Sequence, residues 1–188
     1  MADRGRPVAQ YGAAGPTMGR MTAVLVAYAG RHGGTRQIAE VIAAELGEAG
    51  LSVDVRDAAD VATVAHYAAV VVGSALYYHR WRPEAVRLLE RNARALAERP
   101  VWLFHSGPCG PGAATHQVSL PAKVALLAAR IDAERTATFG GRLDPATVRG
   151  LIPRLMASGR RAGDFRDWDR IKAWARDVGR RVRIRVAL

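Results

Sequence analysis

The chain has 188 residues and one cysteine, Cys109, so an internal disulfide is excluded and the length suits one domain with a full core. Its net charge is +11, from 28 basic against 17 acidic residues, and only Lys123 and Lys172 are lysines. Arginine beside abundant alanine and glycine is what a GC-rich coding sequence yields with no basic role at all. The functional alternative is an anionic substrate, an acidic protein or an anionic membrane surface. No nucleic-acid recognition motif accompanies the charge, so nucleic acid is not an expected partner. No apolar run reaches the ~18 residues of a spanning helix, and residues 1–20 contain no signal-like stretch.

In chain order, residues 1–20 are rich in Gly, Ala and Pro and read as a mobile tail, leaving 21–188 as a single domain. Strands are expected at Thr22–Tyr28, Leu51–Arg56, Ala69–Ser74, Val101–Ser106 and Glu134–Phe139. Helices are expected at Thr35–Ala49, Pro83–Ala97, about Leu120–Arg130 and near the C-terminus. The first, third and fourth strands are almost continuously apolar, as suits strands buried on both faces of a parallel sheet. Ile38, Val41, Ile42 and Leu46 form one apolar stripe on the first helix. The alternation of strand and helix predicts an open, doubly wound α/β sheet, whose ligands bind at the carboxyl ends of the strands.

Three segments follow strand ends and gather at that edge. Gly30, Arg31, His32, Gly33, Gly34 and Thr35 carry the chain from strand to helix start. Free N–H groups and the positive end of the helix dipole make an anion site there. The spacing is neither a dinucleotide fingerprint nor a Walker loop, which leaves a cradle for one phosphate with Thr35 as hydroxyl donor. The second segment, Gly73 to Trp81, offers small residues (Gly73, Ser74, Ala75) for close ligand approach, then Leu76 and the planar faces of Tyr77, Tyr78 and Trp81, with Tyr77 expected against the ligand and the others lining substrate or solvent. The third, His105 to Gly110, offers backbone amides, the Ser106 hydroxyl and the His105 imidazole beside a stiff Gly107-Pro108 turn. A phosphate cradle with stacking and amide contacts is what a flavin mononucleotide (FMN) requires.

These segments, with Phe139–Pro145 and Gly163–Trp168, resemble the flavodoxin-like superfamily over residue 22 to about residue 180. Within it they are most similar to the flavodoxin-domain proteins grouped with menaquinone-dependent protoporphyrinogen oxidase. The resemblance implies a five-stranded parallel sheet in the order 2-1-3-4-5 with helices on both faces. It also implies FMN as cofactor, a small organic or quinone-like redox substrate, and a homodimer. It further implies a cytoplasmic protein, with peripheral contact at the inner face of the membrane through the arginine-rich C-terminal helix. Two departures stand out. The family usually has Ser or Thr at the position of Gly30, so one phosphate donor is missing unless Arg31 or His32 compensates. The stretch from Thr147 to Gly163 is also shorter than the insertion that protoporphyrinogen oxidases carry there.

Plainer readings stand beside these. Gly33-Gly34-Thr35 can be a turn with Thr35 as helix cap, His105 a near-core histidine, and Cys109 an inert thiol. Arg142 and Asp144 are expected to organise a turn, and Asp167 to cap the last helix ahead of a packing Trp168. No metal-ligand cluster and no acid or base residue stands out. The expected function is an FMN-dependent oxidoreductase that accepts electrons or hydride from a reduced organic substrate. The alternatives are a flavodoxin-type electron carrier, or a domain that has lost FMN and acts as a binding module.

Overall fold

The computed structural model describes residues 23–107, 109, 117–134, 136–143 and 163–186. The expected tail, Pro108 and Asp144 lie outside the described residues.

Five parallel strands form the centre: β1 (Ala23–Ala29), β2 (Ser52–Asp57), β3 (Ala69–Tyr77), β5 (Val101–Ser106) and β6 (Ala137–Phe139), in the order β2-β1-β3-β5-β6. With the short β4 (Arg80–Trp81) set aside, this is the expected 2-1-3-4-5 order. The apolar runs sort by period two. Leu25, Ala27, Val70, Val72, Val101 and Leu103 face one core; Val24, Val26, Ala69, Val71, Trp102 and Phe104 face the other. The first core is closed by α2 (Pro83–Arg91), α3 (Ala93–Ala97) and α4 (Ala122–Arg130). The second is closed by α1 (Gly34–Glu48) and α5 (Trp168–Val186), through Ile38, Ile42 and Leu46 on α1 and Ile171, Ala175, Val178 and Val182 on α5. Helices therefore cover both faces. At the edge, β2 is mostly exposed, which explains its weaker apolar pattern.

Four details depart from expectation, each for a tertiary reason. The third strand runs on to Tyr77 because β4 folds back on it, pairing Leu76 with Trp81 and Tyr77 with Arg80. The two-residue turn between them holds Tyr78 at φ 49° and His79 at φ 58°. That is type I′ geometry built without the usual Asn or Gly. The single helix expected over Pro83–Ala97 breaks at Asn92. Its buried side chain donates to the Leu88 carbonyl (3.1 Å) and accepts from the Val64 N–H (3.2 Å). The fifth strand is only Ala137–Phe139, and a small antiparallel pair, β7 (Arg142–Leu143) with β8 (Gly163–Asp164), follows it. Finally, Gly73 serves packing rather than ligand approach. A Cβ there would lie 1.9 Å from the ring of Phe104, its cross-strand partner.

Candidate functional site

At the carboxyl edge of the sheet, β1 ends at Ala29 and α1 starts at Gly34. Gly33, at φ 76°, is the N-cap, a left-handed position that glycine occupies without strain. The start of α1 has no side-chain cap and no acidic residue in its first turn. Neither the N-cap residue nor a first-turn carboxylate answers its positive end, the arrangement that suits an anion. Thr35 lies one residue inside the helix and does not cap it. Its buried hydroxyl shares a 3.0 Å hydrogen bond with that of Ser106, at the end of β5.

This pair forms part of the wall of a cavity of about 190 Å³. Arg31, His32 and Gly34 line it from the first loop, Ala75, Leu76 and Tyr77 from β3, and Gly107 and Cys109 from the segment after β5. Gly141, Arg142 and Leu143 complete it. The edge of the His32 ring meets Tyr77 with 6.4 Å between centroids. Burial raises the Tyr77 hydroxyl's pKa, so the phenol is neutral. Burial likewise raises that of the Cys109 thiol, which suits an inert cysteine. Among the described residues the wall contains two arginines and no carboxylate.

Nine of the expected site residues therefore share one wall: Arg31, His32, Gly34, Thr35, Ala75, Leu76, Tyr77, Ser106 and Gly107. Four others stand apart from it. Ser74 is fully buried; its hydroxyl donates to the Ala75 carbonyl and accepts the Arg82 N–H. Tyr78 is 85% exposed at the hairpin tip. Gly33 stands at the helix start, and Gly30 borders a different depression beside Asp57, Asp60, Arg82 and Glu84. Trp81, expected to line substrate or solvent, is instead buried in the core.

His105 resolves as a core histidine. It is fully buried, with Nδ1 accepting the Trp81 indole N–H (3.3 Å). That contact fixes the tautomer, so Nε2 carries the hydrogen and donates to Thr138 Oγ1 at 2.9 Å. Burial depresses its pKa from the ordinary 6.5 to about 4, against the opposing pull of a hydrogen bond to the Val118 backbone. Between those values the unfolded chain binds the proton and the folded chain does not, so stability falls as pH drops through that window. From about pH 7 to about pH 4.5, the native protein should lose about 2.5 kcal/mol more than a His105→Gln variant. Urea melts of both at the two pH values check this, and equal losses would contradict it.

Local reading missed two arginines. Arg142, expected only to organise a turn, lines the cavity. Arg166 has a side chain 3% exposed and joins three elements. It donates to the Asp164 carboxylate at the end of β8 (Nε, 2.7 Å). It also reaches Gln37 Oε1 (2.6 Å) and the Gly34 carbonyl (3.4 Å) on α1, and stacks 4.3 Å over the Trp168 ring that opens α5. These hydrogen bonds hold Asp164 ionised, with its pKa below the ordinary value. Asp167 caps α5 as expected, accepting from the Arg170 N–H at 3.0 Å.

The residues present fit FMN. A phosphate would find an uncapped helix start, the hydroxyl pair and two arginines there, and a planar ring would find Tyr77, Leu76 and the close-packed Gly107. Among the described residues no helix is long and apolar enough to cross a membrane.

Comparison with known proteins agrees on the architecture. The structure is similar to the rubredoxin oxygen:oxidoreductase of Desulfovibrio gigas (TM-score 0.58, 13% identity), over 89% of this chain but only 37% of that one. It is also similar to a flavodoxin from the domain Archaea (TM-score 0.55, 14% identity; 86% and 99% of the two chains). A Streptococcus pneumoniae TIGR4 flavodoxin is similar too (TM-score 0.53, 15% identity; 85% and 99%). At such identities the likeness shows the fold alone. No curated protein matches the chain in sequence. The flavodoxin domain family, however, matches residues 25–156, most of the chain, and to that family the protein belongs.

Proposed function

We propose that the cavity holds FMN, with the phosphate at the start of α1, and that the protein is an FMN-dependent oxidoreductase. It takes electrons or hydride from a reduced organic substrate, as a protoporphyrinogen oxidase does, and passes them to a quinone-like acceptor. The observation that carries the reading is the uncapped start of α1, beside the Thr35–Ser106 hydroxyl pair, in a wall with two arginines and no carboxylate. Bound flavin supplies the redox chemistry. The chain's own groups do the rest. The first amides of α1 and the hydroxyl pair hold the phosphate, Tyr77 and Leu76 lie against the ring, and burial keeps the Tyr77 phenol neutral. Arg31 and Arg142 favour negative charge in the cavity, which favours accepting electrons over donating them at low potential.

The hydroxyl missing at Gly30 has a structural counterpart. A Cβ built on Gly30 would lie 2.9 Å from Thr35 Oγ1 and 3.0 Å from Thr35 Cβ. Thr35 therefore occupies the space that a side chain at position 30 would need. Gly30→Ser would add a donor but push Thr35 off Ser106, and FMN affinity should fall or stay level rather than rise. Ser106→Ala should weaken FMN about tenfold and leave riboflavin, which has no phosphate, unchanged. Flavin fluorescence titrations decide both. A strong gain in Gly30→Ser would mean that the native cradle is incomplete, favouring a domain that has lost FMN.

A flavodoxin-type carrier is the second reading, favoured by likeness to flavodoxins over 99% of their length. The +11 charge weighs against it, because it opposes docking on basic partners. Anaerobic mixing of the FMN-loaded protein with porphyrinogens and other reduced organic compounds separates the two. Bleaching of the flavin absorbance, reversed by a quinone, supports the oxidoreductase. Reduction only by a partner reductase supports the carrier. The C-terminal helix as an anionic-membrane contact, and a homodimer, complete the proposal; vesicle sedimentation and light scattering test them.

A further inference from the structure

The Tyr78–His79 turn is the unusual backbone feature of the site. Both residues are in the left-handed region, at φ 49° and 58°, where a non-glycine residue is strained and persists only when its surroundings hold it. The strands that the turn joins are short on one side. β4 is two residues, so ladder pairing alone gives little support. Two contacts at its base supply the rest. The Trp81 indole, 5% exposed, donates to His105 Nδ1 at 3.3 Å, with its ring edge-on to the imidazole. One residue on, the Arg82 N–H donates to the buried Ser74 hydroxyl at 2.9 Å. His105 is in turn held by Thr138 on β6, so the anchor reaches two strands beyond the hairpin. Above the anchor, Leu76 opposes Trp81 and Tyr77 opposes Arg80, and both Leu76 and Tyr77 line the cavity.

We propose that the Trp81–His105 hydrogen bond is a latch that holds the strained Tyr78–His79 turn closed and so positions Leu76 and Tyr77 in the cavity wall. Trp81 and His105 are positioning residues: neither lines the cavity, and both act through the hairpin. The consequence for flavin binding rests on the FMN reading above, whereas the latch itself does not.

The test has two parts on the full-length protein. In the flavin-free protein, amide hydrogen exchange is compared between the native chain and Trp81→Phe, which keeps an aromatic ring and removes the indole N–H. Exchange over residues 76–82 should quicken about tenfold, with the β1, β3 and β5 amides outside the hairpin unchanged. Adding His79→Gly, which relieves the left-handed strain, should restore slow exchange over that segment. In titrations, Trp81→Phe should weaken FMN and riboflavin equally, severalfold, because the latch sets the ring contact and not the phosphate. Unchanged exchange over 76–82 would overturn the latch, as would acceleration spread evenly across the sheet. If Trp81→Phe does not fold, His79→Gly alone serves: slower exchange over the same segment than in the native chain supports the strain, and no change overturns it. Should the native protein bind no flavin while the exchange results hold, the latch stands and the FMN reading falls.

Discussion

Gly140→Ala should cost about 3 kcal/mol, lowering the melting temperature by on the order of 10 °C. A Cβ at this position would sit 1.9 Å from the Phe165 carbonyl oxygen and 2.6 Å from its carbon. Neither atom is the end of a flexible side chain. The two backbones are also tied directly, because the Phe165 N–H donates to the Gly141 carbonyl at 3.0 Å. Relief therefore requires the segment before α5 to lift away from the end of β6. The comparison is Gly73→Ala, where the obstructing atoms belong to the Phe104 ring, which can turn within a core that also contains Phe139 and Trp174. Thermal melts should rank Gly140→Ala as the more damaging. An equal or reversed ranking would mean that the chain after β6 yields more easily than its contacts imply.

Arg166→Ala should destabilise the protein by about 2 kcal/mol and weaken FMN about tenfold, with a smaller effect on riboflavin. The loss is limited because Asp164, its ion-pair partner, is 42% exposed and partly screened. The affinity effect has two sources. Arg166 contacts both Gly34 and Gln37, so its loss frees the start of α1, the proposed phosphate site. It also leaves the Asp164 carboxylate balanced only by Arg142, its cross-strand partner, close to Cys109, which lines the cavity. Negative charge there opposes the phosphate more than the ring. Arg166→Lys should recover little, since one ammonium cannot serve Asp164, Gln37, Gly34 and the Trp168 face together. Parallel FMN and riboflavin titrations with urea melts measure both effects, and equal losses for the two flavins would contradict the electrostatic part.

How far these features were legible in the sequence follows from how local their causes are. The strands β1, β3 and β5 stand out because they are buried on both faces and leave unbroken apolar runs. The stripe on α1 is legible because a single face meets the sheet. The glycine-rich loop after β1 could be placed at the sheet edge from chain order alone. What was not legible depends on partners far along the chain. The β4 hairpin turns on Tyr78 and His79, residues that carry no turn signal of their own. Asn92 breaks a helix by bonding to Val64, 28 residues away. Gly73 looks like an opening for a ligand until Phe104 is placed opposite it. Trp81 looks like a surface stacking residue until His105 is found beneath it, and Arg166 looks like a helix flank until Gln37, 129 positions earlier, is brought to it. The missing hydroxyl at Gly30 reads as a loss in one dimension. In three, Thr35 occupies the space and Ser106 supports it.

A phosphate site at the start of α1 should make the protein discriminate FMN from riboflavin. Its most direct test is titration of the purified native protein with FMN and with riboflavin under identical conditions. FMN should bind saturably at micromolar concentration or below, and riboflavin about a hundredfold more weakly, because only FMN can engage the helix amides and the hydroxyl pair. Equal affinity for the two flavins, or no saturable binding of FMN, would contradict it.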